Sequence, residues 1–115
     1  MTKEKRTDKQ YLLDIVDAID SVNQFLKKTS KKKFDKSYLI QSAVFRQFEI
    51  IGEAASRLTS GFKAKHREMD WPKIIGMRHK MIHDYFEVSI NIVWNTAKDD
   101  LSVLKKQIEN ILKDL

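Results

Sequence analysis

Arg78, His79, His83 and Tyr85 fall within the nine residues RHKMIHDYF, and their types suit work on a phosphodiester. An imidazole, with an ordinary pKa near ~6.5, accepts or gives a proton at neutral pH. The planar fork of a guanidinium stabilises charge that grows on a phosphoryl oxygen. On RNA, a base that deprotonates a ribose hydroxyl lets that oxygen attack its own phosphate, and this chemistry needs no metal or other cofactor. Tyr85 offers a hydroxyl that can position a phosphate or base, or accept a modifying group. The competing reading is a solvated helix face on which the same residues do no chemistry. His79 and His83, four apart, also have a spacing that two zinc ligands use. Lys80 stands where H-E-x-x-H needs its glutamate, however, and Arg78 adds positive charge beside any cation. No metal site is expected.

Geometry limits how these groups can meet. At about 100° per residue, Arg78 and Tyr85 lie close to one line down a helix and His79 and His83 lie on another. Arg78 and His83 are five apart, so their directions differ by roughly 140°. Only long side chains, a helix end or a second protomer would bring both to one ligand. A working site therefore belongs in a cleft between surfaces.

The elements that would position them are helical. Thr7 and Gln10 have capping-box spacing before Leu12, Ile15, Val16, Ile19, Val22 and Leu26, which predicts a first amphipathic helix over roughly 8–28. The stretch KKTSKKKFDKS has no apolar periodicity and reads as a solvated connection. Its lysines, with those at 27 and 28, either extend an RNA-binding surface or belong simply to an exposed loop, the latter being favoured. A second helix follows from about Lys36 to Leu58, ended by Thr59, Ser60 and a left-handed Gly61. Within it, Glu49 and Glu53 are one turn apart. They either hold Arg78 or a histidine in orientation or form an ordinary exposed acidic pair. Gly52 lies inside this helix, where glycine costs roughly 1 kcal/mol against alanine, so a close helix approach is the sensible reason for it.

A short turn or helical scrap is expected between Gly61 and Asp70. Asp70 can then cap a helix with Pro72 in its first turn, and this helix carries the motif and ends near Phe86. Met77, Met81 and Ile82 are read as packing residues. Ser89 can cap a last long helix whose Ile90, Trp94, Ala97, Leu101, Leu104, Ile108, Ile111 and Leu115 form a heptad-like seam, suited to a bundle core or to a second copy.

The totals agree with one all-α domain over 1–115, with 1–7 as a mobile tail. The expected architecture is an up-and-down bundle of four main helices plus a short extra helix. Of 115 residues, 42% are hydrophobic and 33% charged, and one Pro with three Gly leaves few breakpoints. The absence of cysteine excludes a disulfide framework and a thiolate metal site, and fits a reducing cytoplasm. There is no apolar run of about 18 residues, and MTKEKRTDKQ lacks the core of a signal peptide. A cytoplasmic protein with no membrane partner is expected. Its formal charge of +6 suits polyanions such as RNA, or an acidic protein.

Taken together, AVFRQFEIIGEAASRL, WPKIIGMRHKMIHDYF and IVWNTAKDDLSVLKKQIENIL resemble the HepT-like branch of the HEPN superfamily, small helical proteins of toxin–antitoxin pairs. The similarity runs from about Tyr11 to the C-terminus. Its most specific element is R-x-x-x-x-H-x-Y, matched by Arg78, His83 and Tyr85. The resemblance implies a homodimer whose cleft gathers the Arg and His of both protomers into a metal-independent ribonuclease site. It further implies a minimal nucleotidyltransferase antitoxin as partner, which neutralises the toxin by transferring AMP from ATP to the motif tyrosine. By position, His83 becomes the general acid–base, Arg78 the electrostatic stabiliser and Tyr85 the AMP acceptor. His79 departs from the Asn or Asp often found after the motif Arg, which puts its helper role in doubt. Arg46, Glu49 and Glu53 fall on the recurring R-x-x-E-I-I-G-E block as supporting residues. The alternative is a non-catalytic module whose cleft holds a nucleotide or the nucleotidyltransferase.

Overall fold

The computed structural model describes residues 5–83 and 90–115, apart from the side chains of residues 80–83. The described residues form an all-α bundle with extents of 41 × 31 × 26 Å. Its first helix, α1 (Asp8–Leu26), begins as the capping box requires: the Gln10 amide donates to Thr7 Oγ1 at 3.2 Å, and the Thr7 amide donates to Gln10 Oε1 at 2.8 Å. Leu12, Ile15, Ile19, Val22 and Leu26 are buried along one face.

The lysine-rich connection departs from expectation. Ser30 accepts from the Lys33 amide and starts a short helix, α2 (Lys31–Lys36). Its Phe34 is completely buried, with its ring centroid 5.3 Å from that of Trp94. Gln41 Nε2 donates to the backbone oxygens of Phe34 and Asp35, which satisfies carbonyls at the end of α2. A single aromatic residue supplies no periodicity, so pattern reading misses a helix pinned by one anchor. The lysines around Phe34 are solvated, while the segment itself is folded.

The central helix, α3 (Tyr38–Ser56), is capped by Ser37, which accepts from the Ile40 amide. It packs against α1 on one side and α5 on the other. Its end does not use a left-handed glycine, since no glycine among the described residues has positive φ. Instead Thr59 accepts from the Phe62 amide and starts α4 (Ser60–Lys65), which places Gly61 inside a helix. Asp8 then ties the start of α1 to this corner, accepting from both the amide and the hydroxyl of Thr59 at 2.9 and 2.8 Å.

Asp70 accepts from the Lys73 amide at the start of α5 (Trp71–His83). Trp71 is buried and donates from Nε1 to the His66 carbonyl. Met77 packs against the core, whereas Met81 and Ile82, with the expected helix end at Phe86 and cap at Ser89, lie outside the described residues or side chains.

The last helical run is continuous but not uniform. It comprises α6 (Ile90–Asn95), a widened π turn over Thr96–Asp100, and α7 (Leu101–Lys113). The Leu101 amide reaches back five residues to the Thr96 carbonyl. The wider turn shifts the phase of the buried stripe, so Val93, Ala97, Leu101, Leu104, Ile108 and Ile111 face the core. Trp94 is only partly buried and Leu115 is exposed. An ion pair of 2.7 Å from Lys105 to Asp20 joins α7 to α1; the bond to Asp20 holds the Lys105 pKa above its ordinary value. No helix among the described residues is long and apolar enough to cross a membrane.

Phe34→Ala should reduce stability by about 3–5 kcal/mol in urea unfolding, the usual cost of emptying a buried aromatic site. A loss below about 0.5 kcal/mol, as for an ordinary surface position, would show that α2 is not anchored by this ring.

Candidate active site

One face of α3 is polar. Arg46, Glu49, Glu53 and Arg57 follow one another at intervals of three, four and four, within roughly 80° of arc. Val44, Phe48, Ile51 and Ala55 lie on the opposite side and are buried. Between the polar stripe and the core face sits Gly52, and here α5 crosses. A Cβ placed on Gly52 would lie 2.5 Å from Arg78 Cβ, 2.6 Å from Arg78 N and 3.0 Å from Arg78 Cα. The two backbones therefore approach as closely as they do only because residue 52 has no side chain.

This contact sets where the Arg78 side chain begins, and the next residue on α3 sets where it goes. Arg78 Nε makes a 2.8 Å ion pair with Glu53 Oε2. The other oxygen of the same carboxylate, Oε1, accepts a 2.8 Å hydrogen bond from Arg57 Nε. Both arginine side chains remain well exposed, at 50% and 60%. Glu53, first through its hydrogen bond and then through its charge, holds the Arg57 guanidinium above its ordinary pKa. Arg46 pairs with Glu49 at 3.3 Å.

These groups border a cavity of about 570 Å³ between α1, α3 and α5. Ile50 and Ala54 give it an apolar floor. From the α1 side come Tyr11 and Asp14, joined by Arg6, which pairs with Asp14 at 2.6 Å and lies 5.4 Å from the Tyr11 ring centre. Four arginines thus face three carboxylates, and each carboxylate is held by an arginine.

A family model described as "Ribonuclease HepT-like" matches residues 15–111. The chain belongs to the HepT-like family. It is 38% identical over 109 residues to a protein of Thermococcus cleftensis described as a probable ribonuclease HepT, covering 95% of this chain and 99% of that one. A Methanocaldococcus jannaschii protein named as a candidate RNase is 37% identical over 96% of each chain. A similarly named protein of Caldanaerobacter subterraneus is 36% identical over 94% of this chain and 96% of its own. No solved structure matches.

Within this HepT-like chain, the residues singled out by sequence occupy different surroundings. Arg78 and Glu53 are in direct contact across the α3–α5 crossing. Glu49 and Arg46 share the cleft wall and pair with each other rather than with Arg78. His79 is exposed on α5, directly after Arg78. The backbone at His83 is still helical, so the wide angular separation from Arg78 applies within one chain; the His83 side chain and all of Tyr85 lie outside the described parts. Arg57 was missed, as were Arg6, Tyr11 and Asp14. A signal for Arg57 did exist, since it stands four residues after Glu53, where an oppositely charged side chain is a neighbour on the helix. Nothing in the local pattern of α1 marks Tyr11 or Asp14 as lining the cavity that Arg57 borders.

Gly52→Ala tests the crossing. Alanine is the better helix former by roughly 1 kcal/mol, yet two of the three atoms its methyl would strike belong to backbone, so α5 must move. A net loss of about 1–3 kcal/mol in chemical denaturation is expected, the range typical of overpacking. Unchanged or increased stability would mean that the close approach is not required.

Proposed function

We propose that this protein is the cytoplasmic ribonuclease toxin of a HEPN/minimal-nucleotidyltransferase pair. In this reading it is a metal-independent endoribonuclease that acts in the cleft of a homodimer, and AMP on Tyr85 neutralises it. The observation that carries the reading is Arg78, the first residue of R-x-x-x-x-H-x-Y, fixed by Glu53 at the mouth of a cleft rich in arginine. Membership of the HepT-like family, with relatives described as ribonucleases, supports the same activity.

In the proposed reaction the imidazole of His83 removes the proton from a ribose 2′-hydroxyl. The 2′-oxygen attacks the adjacent phosphorus, and the 5′-oxygen of the next nucleotide leaves with a proton supplied by the second imidazole of the dimer. Arg78 stabilises the charge that builds on the non-bridging oxygens. One helix points Arg78 and His83 in directions roughly 140° apart, so pairing two protomers is the simplest way to bring both kinds of group to one phosphate. AMP on Tyr85, two residues beyond His83, would bring a phosphate and a nucleoside into that space. The added negative charge and bulk would repel the RNA backbone.

The test is RNA cleavage by the purified dimer in the presence of a chelator. His83→Ala and Arg78→Ala should each lower the rate by about 100-fold or more, the scale for a general acid–base or an oxyanion stabiliser. Cleavage by both variants at the parental rate would refute the assignment. Incubation with the partner nucleotidyltransferase and ATP should add one AMP to the intact mass, and Tyr85→Phe should abolish the gain. A tight complex without any mass change would instead favour the non-catalytic binding module.

A further inference from the structure

We infer that the α1–α3–α5 cavity seats the nucleotide next to the scissile bond, and that Arg57 binds its phosphate as the neighbour of the phosphate held by Arg78. This rests on the ribonuclease reading and adds a substrate subsite to it. The Glu53 carboxylate bridges two arginines. Its two oxygens engage Arg57 Nε and Arg78 Nε, each at 2.8 Å, so the two Nε atoms are at most about 8 Å apart, both tied to one carboxylate. Successive phosphates on a single strand are separated by a comparable distance. A guanidinium carries five N–H donors, and use of one on Glu53 leaves ample capacity for phosphate oxygens.

Stability is a poor explanation for this arrangement. Exposed ion pairs contribute little to folding, and both arginine side chains are at least half exposed. What the shared carboxylate does accomplish is to remove rotamer freedom from two cations that share one wall. A phosphate arriving there meets guanidiniums already in place, with less ordering cost than free side chains would impose. The cleft also has the size and composition for a nucleotide. Its 570 Å³ lies within the span of about 300–1,000 Å³ usual for small-ligand sites. Ile50 and Ala54 form an apolar floor for a base, and the Tyr11 ring with the Arg6 guanidinium closes the α1 end. Aromatic and guanidinium planes are the ordinary partners of unstacked bases. The exposed lysines of α2 offer charge without any comparable cavity, and they are the alternative location for the strand.

The experiment measures binding of a short fluorescent RNA, with its 2′-oxygens methylated so that it cannot be cut, by anisotropy over a series of salt concentrations. Arg57→Ala should weaken binding by about 10-fold and lower the slope of log K against log salt by about 0.7, the loss of one phosphate contact on a single strand. Arg57→Lys should keep the salt slope, because the charge remains, while recovering only part of the affinity. With cleavable RNA, Arg57→Ala should raise KM by a larger factor than it lowers kcat. Parental affinity and slope in Arg57→Ala would overturn the proposal, as would loss of binding in Lys32→Ala/Lys36→Ala alone. Normal cutting by Arg57→Ala with unchanged KM would sink this subsite and leave the ribonuclease reading standing. Arg57-dependent binding with no cleavage of ordinary RNA by the parent would overturn the ribonuclease reading and leave Arg57 as a phosphate contact with no scissile bond beside it.

Discussion

The near contact between the backbones of α3 and α5 at Gly52 and Arg78 governs the rest of the site. Helices usually pack with axes about 8–10 Å apart, the gap being filled by side chains from both. At this crossing one side contributes nothing, and the Arg78 backbone rests where a methyl group would otherwise sit. The guanidinium of Arg78 therefore starts from the surface of α3 and meets Glu53 one residue further along. Its placement depends on two helices at once, and a shift in either displaces the charge.

α3 meets two demands with opposite faces. Val44, Phe48, Ile51 and Ala55 bury apolar surface, which is the main source of stability in a bundle of this size. Arg46, Glu49, Glu53 and Arg57 carry charge on the far side, where water still reaches them. Among the described residues none that is polar or charged is buried, so the cluster escapes the large desolvation penalty of interior ions. Its ion pairs consequently matter for position more than for folding energy. Charge can be changed on this wall with little effect on the core, whereas the Gly52 crossing links the two, because the same contact packs the helices and aims the arginine.

The remaining elements hold that crossing in place. Asp8 grips Thr59 just beyond the C-terminal end of α3, and Phe34 locks α2 beneath Trp94 near its N-terminal end. Both are long-range ties made by short segments. They fix the central helix against α1 and the last helical run, and so fix the wall on which Glu53 stands.

Several features were legible in the sequence because they are local. Helical period, the Thr7 capping box, the Asp70 cap and the R-x-x-x-x-H-x-Y spacing each depend on residues within a turn or two of one another. Gly52 was legible as well, since a glycine in the middle of a helix calls for a reason. Phe34 was not, because one aromatic residue among lysines looks solvated until Trp94, sixty positions later, is seen to cover it. The π turn at Thr96–Asp100 was equally hidden, as its spacings of three and four also fit a regular helix. Sequence alone determined that the chain is an all-α bundle and that Arg78 and His83 diverge on one helix. Only the tertiary structure decided that Glu53 serves Arg78 and Arg57 together while Glu49 turns to Arg46, and that Tyr11 and Arg6 share the cleft. The reason is physical: a carboxylate's choice between cations within reach depends on distances across helices, and these are set by how the whole bundle packs.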